Sequence, residues 1–189
     1  YKRQVILRSQ EDFDELEKLA YRDEKLSKHS KFITGMSAIE VAQESKAELA
    51  FIAIPPSYET GEPNTSIFKA LAESGVSIVT ADKTVLARDY EKAIEIARDN
   101  NIFVGYRATV AAGIPAIDLA RGLRGRPVEF VKAILNATTN YILTLMEQGM
   151  EYSQAVARAI EEKLAEPDPR VDTHGWDPAA KLAILLSTM

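Results

Sequence analysis

LAFIAIPPSYETGEPNTSIFKALAESGVSIVT, residues 49–80, is the stretch that decides the fold. It opens on a compact apolar run, 49–54, with FIAI at its centre, which has the length and composition of a buried parallel strand. Pro55 and Pro56 end that run, because proline has no N–H to give to a ladder. After the loop YETGEPN, residues 66–74 read as a helix with Ile67, Phe68 and Leu71 on its inward face. Gly75 stands where a helix C-terminus favours glycine, and 76–80 is a second apolar strand. Strand, helix and strand in this order predict a parallel crossover unit.

Downstream, Asp89 is placed to cap a helix ending near Asp99, and 102–106 reads as a further strand. Alternation at these intervals argues for an α/β fold with a parallel sheet. Upstream, 4–7 reads as a short strand. Ser9 with Glu11 and Asp12 opens a polar helix whose apolar marks are Phe13, Leu16, Leu19 and Ala20. The charged segment 22–31 reads as solvated surface, and His29 within it as a neutral surface histidine, since metal sites need several ligands. Residues 32–34 suit another short strand, and Ser37 precedes a helix through Val41 and Ala42. No Gly-x-Gly-x-x-Gly follows a first strand, because Gly35 stands alone before Leu49. The residues alone therefore carry no dinucleotide-binding fingerprint.

From Ala108 the texture changes. ATVAAGIP, 108–115, joins small residues to Gly113 and Pro115, favouring close backbone approach and then a helix to about Gly122. Arg121, Arg124 and Arg126 fit a helix end and a solvated loop. Residues 128–135 read as a strand, with Val128, Phe130, Ala133 and Leu135 apolar. Strict alternation fails at 131 and 134, which predicts partial cover on both faces. Asn136, Thr138, Thr139 and Asn140 form a small polar cluster suited to capping the helix from Tyr141 to Met146. Gly149 ends that helix, and Ser153 is placed to cap the next, which delivers the chain to Glu166.

Composition excludes several functions. Lys plus Arg number 23 against 28 Asp plus Glu, a formal charge of −5, so nucleic acid and anionic membrane find no electrostatic footprint. The absence of cysteine removes disulfide scaffolds, thiolate metal sites and cysteine nucleophiles. With no apolar run of membrane-spanning length, a soluble cytoplasmic protein is expected. The sequence begins at Tyr1 and stops at Met189 inside an apolar helix, as expected of part of a longer chain.

Two regions carry candidate chemistry. Ligands of open parallel sheets lie beyond the carboxyl ends of the strands. That singles out Pro55-Pro56-Ser57 after one strand and Thr80-Ala81-Asp82-Lys83 after the next, with Lys83 directly behind a buried strand. The second region is EPDPRVDTHGWDPAAK, 166–181, which gathers Glu166, Asp168, Asp172, Asp177 and Lys181. Pro178 after Asp177 suits a helix capped by that aspartate, which would place Asp177 and Lys181 on one face. A solvated loop, an ordinary Asp cap and a surface ion pair would produce the same residues. Against that, Leu182 to Leu186 are all apolar, so Lys181 opens a buried helix. Carboxylates beside a partly buried amine are the usual setting of a proton donor.

The 166–181 segment resembles the signature of homoserine dehydrogenase, with Glu-x-Asp-Pro, a later Asp, then Gly-x-Asp and a Lys four residues on. VTADKTVLA at 79–87, ATVAAGIP at 108–115 and LNATTNYIL at 135–143 resemble the same family, and GEPNTSIFKAL at 61–71 is similar to the longer loop of its archaeal-type members. The matches cover roughly 49–189 in family order. The resemblance implies an incomplete Rossmann-like nucleotide-binding domain, 1–107, and an α+β catalytic and dimerisation domain, 108–189. It implies NAD or NADP as cofactor, homoserine and aspartate semialdehyde as substrates, and a homodimer pairing through 128–135. It makes Lys181 the general acid with Asp177 positioning it, and Lys83 a second ammonium near cofactor and substrate. Glu166 and Asp172 become partners of the substrate amino group, while Asn136, Thr138 and Thr139 shape the pocket. Pro55, Pro56, Thr80, Ala81 and Lys83 face the cofactor.

Departures from the family pattern keep alternatives open. Asp82 and Thr84 flank Lys83 where the family has Asn and Lys, Ile54 replaces a threonine, and Ala137 replaces a glycine that positive φ would demand. Lys163 and Leu164 replace a Gly-aromatic pair, and Thr173 an aliphatic residue. Arg107 stands for a glutamate at a monovalent-cation site, so no metal is assigned. A non-catalytic amino-acid-binding homologue, or a related oxidoreductase acting on another small carbonyl compound, would share most of these features. A fused kinase portion and the choice between NAD and NADP stay open.

Overall fold

The computed structural model describes residues 9–22, 36–44, 46–165 and 168–189. The strands expected at 4–7 and 32–34, His29, and Glu166 lie outside the described residues.

Strands β1 (Leu49–Ile52), β2 (Ser77–Thr80) and β3 (Val104–Gly105) form a parallel sheet in that order. Leu49 pairs with Ser77 and Ile52 with Thr80, while Ile78 pairs with Val104. Before the sheet come α1 (Gln10–Tyr21) and α2 (Ala38–Glu44). Ser37 and Glu40 cap α2 reciprocally: the Glu40 N–H donates to Ser37 Oγ at 3.1 Å and the Ser37 N–H to Glu40 Oε2 at 2.6 Å. Helix α3 (Asn64–Glu73) crosses from β1 to β2, starting earlier than the sequence predicts, with Gly75 in the left-handed region just beyond it. Between β2 and β3 lie α4 (Thr84–Arg88) and α5 (Tyr90–Asp99), and Asp89 caps α5 by accepting from the Lys92 N–H at 3.0 Å.

After β3 the described chain is helical: a 3-10 turn at Arg107–Thr109, then α6 (Ala116–Gly122), α7 (Ala137–Glu147), α8 (Tyr152–Glu161), α9 (Arg170–Thr173) and α10 (Trp176–Thr188). The main core joins Ile52, Ile78 and Val104 of the sheet to Phe68, Leu71 and Leu86, and takes in Ile117 of α6 and Ile184 and Leu185 of α10. Helix α10 thus packs on the sheet body, and this brings its first turn to the sheet's carboxyl end. A smaller cluster of Ile142, Ala155, Ala159 and Ala165 ties α7 to α8.

Three expectations are corrected. Segment 128–135 makes no ladder, and Phe130 and Ile134 are 71% and 78% exposed, because a strand needs a pairing partner and the described residues offer none. The first strand buries only one face: Ile52 is in the core while Phe51 is 75% exposed. Helix α8 begins behind Glu151, with no side-chain cap from Ser153. Among the described residues no helix is long and apolar enough to cross a membrane.

Candidate active site at the carboxyl end of the sheet

Asp177 is the centre of the site. Helix α10 starts at Trp176 behind Gly175, whose φ of 82° turns the chain into the helix, so Asp177 is in the first turn rather than at the cap. Freed from capping, its carboxylate points inward. Asp177 Oδ2 accepts from Lys181 Nζ at 2.5 Å, one helical turn on, and from Asn136 Nδ2 at 2.9 Å. Asp177 Oδ1 faces Lys83 Nζ at 3.5 Å, so the carboxylate lies between two ammonium groups. Both lysine side chains are 17% exposed, far from the surface ion pair that composition alone would allow. Burial pushes the Asp177 carboxyl up, but the hydrogen bonds from Lys181 and Asn136 and the charges of Lys181 and Lys83 outweigh it and hold the group below the usual carboxylate range.

Asn136 organises the second side. Its Oδ1 caps α7 by accepting from the Thr139 N–H at 2.8 Å, and its Nδ2 donates to Asp172 Oδ1 at 2.6 Å as well as to Asp177. The cap and the site are therefore one residue doing two jobs. Ala137 follows as the first residue of α7 with φ outside the positive region, so this turn does not require glycine. Lys181 Nζ also donates to the Leu135 carbonyl at 2.7 Å, which anchors the end of 128–135 to the cluster.

The structure gathers Lys83, Asp172, Asp177, Lys181 and Asn136, but gives other predicted residues different work. The Thr138 hydroxyl donates to the Leu164 carbonyl at 2.8 Å and the Thr139 hydroxyl turns back on Asn136. Thr80 is buried, and its Oγ1 closes the turn after β2 by accepting from the Asp82 N–H at 2.9 Å. Arg107 forks onto Asp118 of α6 at 2.8 Å through two nitrogens. Among the described residues no group of three or more acidic or histidine side chains converges as a metal site would require.

A second polar network, without an ammonium, braces the two strand-end loops and gave no sign of itself in the sequence pattern. Thr84 Oγ1 accepts from the Ser57 N–H at 2.8 Å and from Asn64 Nδ2 at 3.1 Å, and donates to Asp82 Oδ1 at 2.7 Å. Asn64 Nδ2 also donates to the Pro55 carbonyl at 2.9 Å. Its only trace is in the departures from the family, since Asp82 and Thr84 are the residues that differ around Lys83. Beside this network the Tyr58 ring stacks on Trp176, with centroids 6.3 Å apart and planes at 16°.

The strand-end loops can be tested against a dinucleotide cofactor by their donor chemistry. Pro55 and Pro56 offer apolar ring surface and carbonyls but no N–H, and Lys83, partly buried, is the cation of the neighbouring strand-end loop. That set fits the amide and ring of a nicotinamide rather than a pyrophosphate, which wants several backbone N–H groups.

Fold and site together define a Rossmann-like α/β protein with a lysine–aspartate–lysine cluster at the carboxyl end of a parallel sheet. The family model described as homoserine dehydrogenase matches residues 115–189. The homoserine dehydrogenase of Sulfurisphaera tokodaii is 40% identical over 132 residues, covering 70% of this chain and 43% of that protein. That of Methanocaldococcus jannaschii is 36% identical over 156 residues, covering 82% of this chain and 46% of that protein. Among solved structures, a hyperthermophilic archaeal homoserine dehydrogenase in complex with NADPH superimposes with a TM-score of 0.85 at 26% identity, covering 100% of this chain and 58% of that one. The chain belongs to the homoserine dehydrogenase family. It spans less than half the length of the two curated relatives.

Proposed function

We propose that the polypeptide carrying this chain is a homoserine dehydrogenase, catalysing reversible NAD(P)-dependent hydride transfer between L-homoserine and L-aspartate 4-semialdehyde. The observation that carries this is the state of Lys181. An ammonium has three donors. Two are committed, to Asp177 Oδ2 and to the Leu135 carbonyl, so the third is left for a substrate oxygen.

When bound, the nicotinamide supplies or accepts the hydride. In the reducing direction Lys181 donates a proton to the carbonyl oxygen as negative charge develops there, and in the oxidising direction it takes that proton back. Asp177 holds Lys181 aimed. Lys83, on the opposite side of the same carboxylate, adds a second positive charge beside the reacting oxygen and the cofactor. Asp172, held by Asn136, takes the substrate ammonium together with Glu166. Thr138 and Thr139 act beneath the pocket by fixing α7, and Thr80 and Ala81 shape the strand end.

Pro55 and Pro56 pack on the nicotinamide in this reading, and residues 1–107 and 108–189 serve cofactor and substrate respectively. The NADPH-bound relative and an NAD(+)-dependent one from Pseudomonas canavaninivorans support either cofactor. A second copy pairs through 128–135, whose exposed Phe130 and Ile134 and want of a ladder among the described residues support a strand contact between subunits. The test is homoserine-dependent reduction of NAD and NADP by the full-length polypeptide. Turnover that disappears in K181A is expected; a wild-type protein inert with both cofactors would refute the proposal.

A further inference from the structure

The Tyr58 hydroxyl is buried and has no hydrogen-bond partner among the described residues. An unsatisfied buried hydroxyl costs stability unless a water or a bound group takes it up. Its position is held: the ring lies flat against Trp176 at the head of α10, one residue before Asp177. The wall around it is acidic. Burial and the charges of Asp177, Asp82 and Asp172 all push the phenol well above its ordinary value, so it stays protonated and neutral.

Most of those carboxylate oxygens are already used. Asp177 faces Lys181, Asn136 and Lys83, Asp82 Oδ1 accepts from Thr84, and Asp172 Oδ1 accepts from Asn136. The phenol oxygen is left uncommitted within the field of these three carboxylates, and the bonds named above leave the second oxygen of Asp172 for the same ligand. An anionic ligand group would be repelled there, and a compact cation with several N–H donors would be attracted.

We propose that Tyr58 is a specificity-determining residue whose hydroxyl oxygen accepts a hydrogen bond from the substrate's α-ammonium, alongside Asp172. This rests on the dehydrogenase reading above and names the group that selects an amino acid over a plain hydroxy acid. The Trp176 stack makes the contact depend on both halves of the chain, because Tyr58 comes from the loop after β1 and Trp176 from α10.

The test is Y58F in the full-length polypeptide, since phenylalanine keeps the ring on Trp176 and removes only the oxygen. The KM for L-homoserine should rise about tenfold or more, as for a hydrogen bond to a charged group. The value of kcat and the KM for the nicotinamide cofactor should stay within about twofold of the wild type. The melting temperature should hold or rise, because no internal hydrogen bond is lost. An unchanged homoserine KM in an active wild-type background would overturn the Tyr58 assignment while leaving the dehydrogenase reading intact. So would a rise confined to the cofactor KM, or a loss of kcat that tracks a lowered melting temperature. An equal fall in kcat/KM for 4-hydroxybutanoate, which lacks the ammonium, would also overturn it. An inert wild-type protein would remove both proposals together.

Discussion

Two buried polar clusters lie at the carboxyl end of the sheet, and they differ in what they leave unsatisfied. The cluster around Thr84 is bound internally: the hydroxyl makes three hydrogen bonds, and Asn64 and Asp82 are drawn onto it and onto the backbone. The cluster around Asp177 is charged, and its two ammonium groups keep donors that the described residues do not take up. In the proposed reading, burial of polar groups marks scaffold in one case and site in the other. The distinguishing property is residual bonding capacity, not burial.

The largest effect that separates them is expected at Lys181. Replacing it with alanine should lower kcat by about 10²–10⁴-fold, the range for loss of a positioned proton donor, with the native circular-dichroism spectrum retained. At Asp177 the expectation is a smaller loss of turnover coupled to a changed acid response. Its native pKa is depressed, so its stabilisation is fully present above the unfolded carboxylate value of about 3.9 and is lost as pH falls through the native value. D177N should melt lower than wild type at pH 7, and the gap should close in acid. A gap that is the same at pH 7 and pH 2.5 would show that the carboxylate's charge contributes nothing.

Around Thr84 the expected effect reverses. T84V leaves the Ser57 N–H, Asn64 and Asp82 short of a partner and should cost about 1–3 kcal/mol in denaturant unfolding, with the homoserine KM unchanged. A KM shift without loss of stability would move Thr84 into the binding site. The smallest effect is expected at Lys163. Its φ of 58° is in the region that favours glycine, and the family pattern has glycine there, so K163G should stabilise by up to about 1 kcal/mol. Thermal unfolding of K163G beside wild type checks this.

Much of this arrangement was legible in the sequence. The runs 49–54 and 76–80 are apolar and bounded by proline and glycine, so strand, crossover and strand follow from pattern alone. Asp177 and Lys181 were readable as a pair by their helical spacing, and Lys83 by its place behind a strand. What stayed hidden depends on partners distant in sequence. Whether 128–135 forms a ladder is decided by a pairing surface that the described residues do not contain. An Asp-Pro pair suggests a cap, yet Gly175 starts α10 two residues earlier and turns Asp177 to Lys181 instead. Thr138 was placed at the pocket by the family resemblance alone, and nothing in its spacing shows that its hydroxyl donates to the Leu164 carbonyl. Tyr58 gave no signal, since an unpaired hydroxyl is visible only once its neighbours are placed.

The most direct test of the distinction between the two clusters is one steady-state assay of homoserine oxidation on K181A and T84V, with melting temperatures measured on the same samples. K181A is expected to lose turnover by far more than its lowered melting temperature explains, because it still folds but lacks the donor, while T84V melts lower and keeps its kcat. Turnover surviving in K181A, with T84V inactive at an unchanged melting temperature, would contradict that distinction.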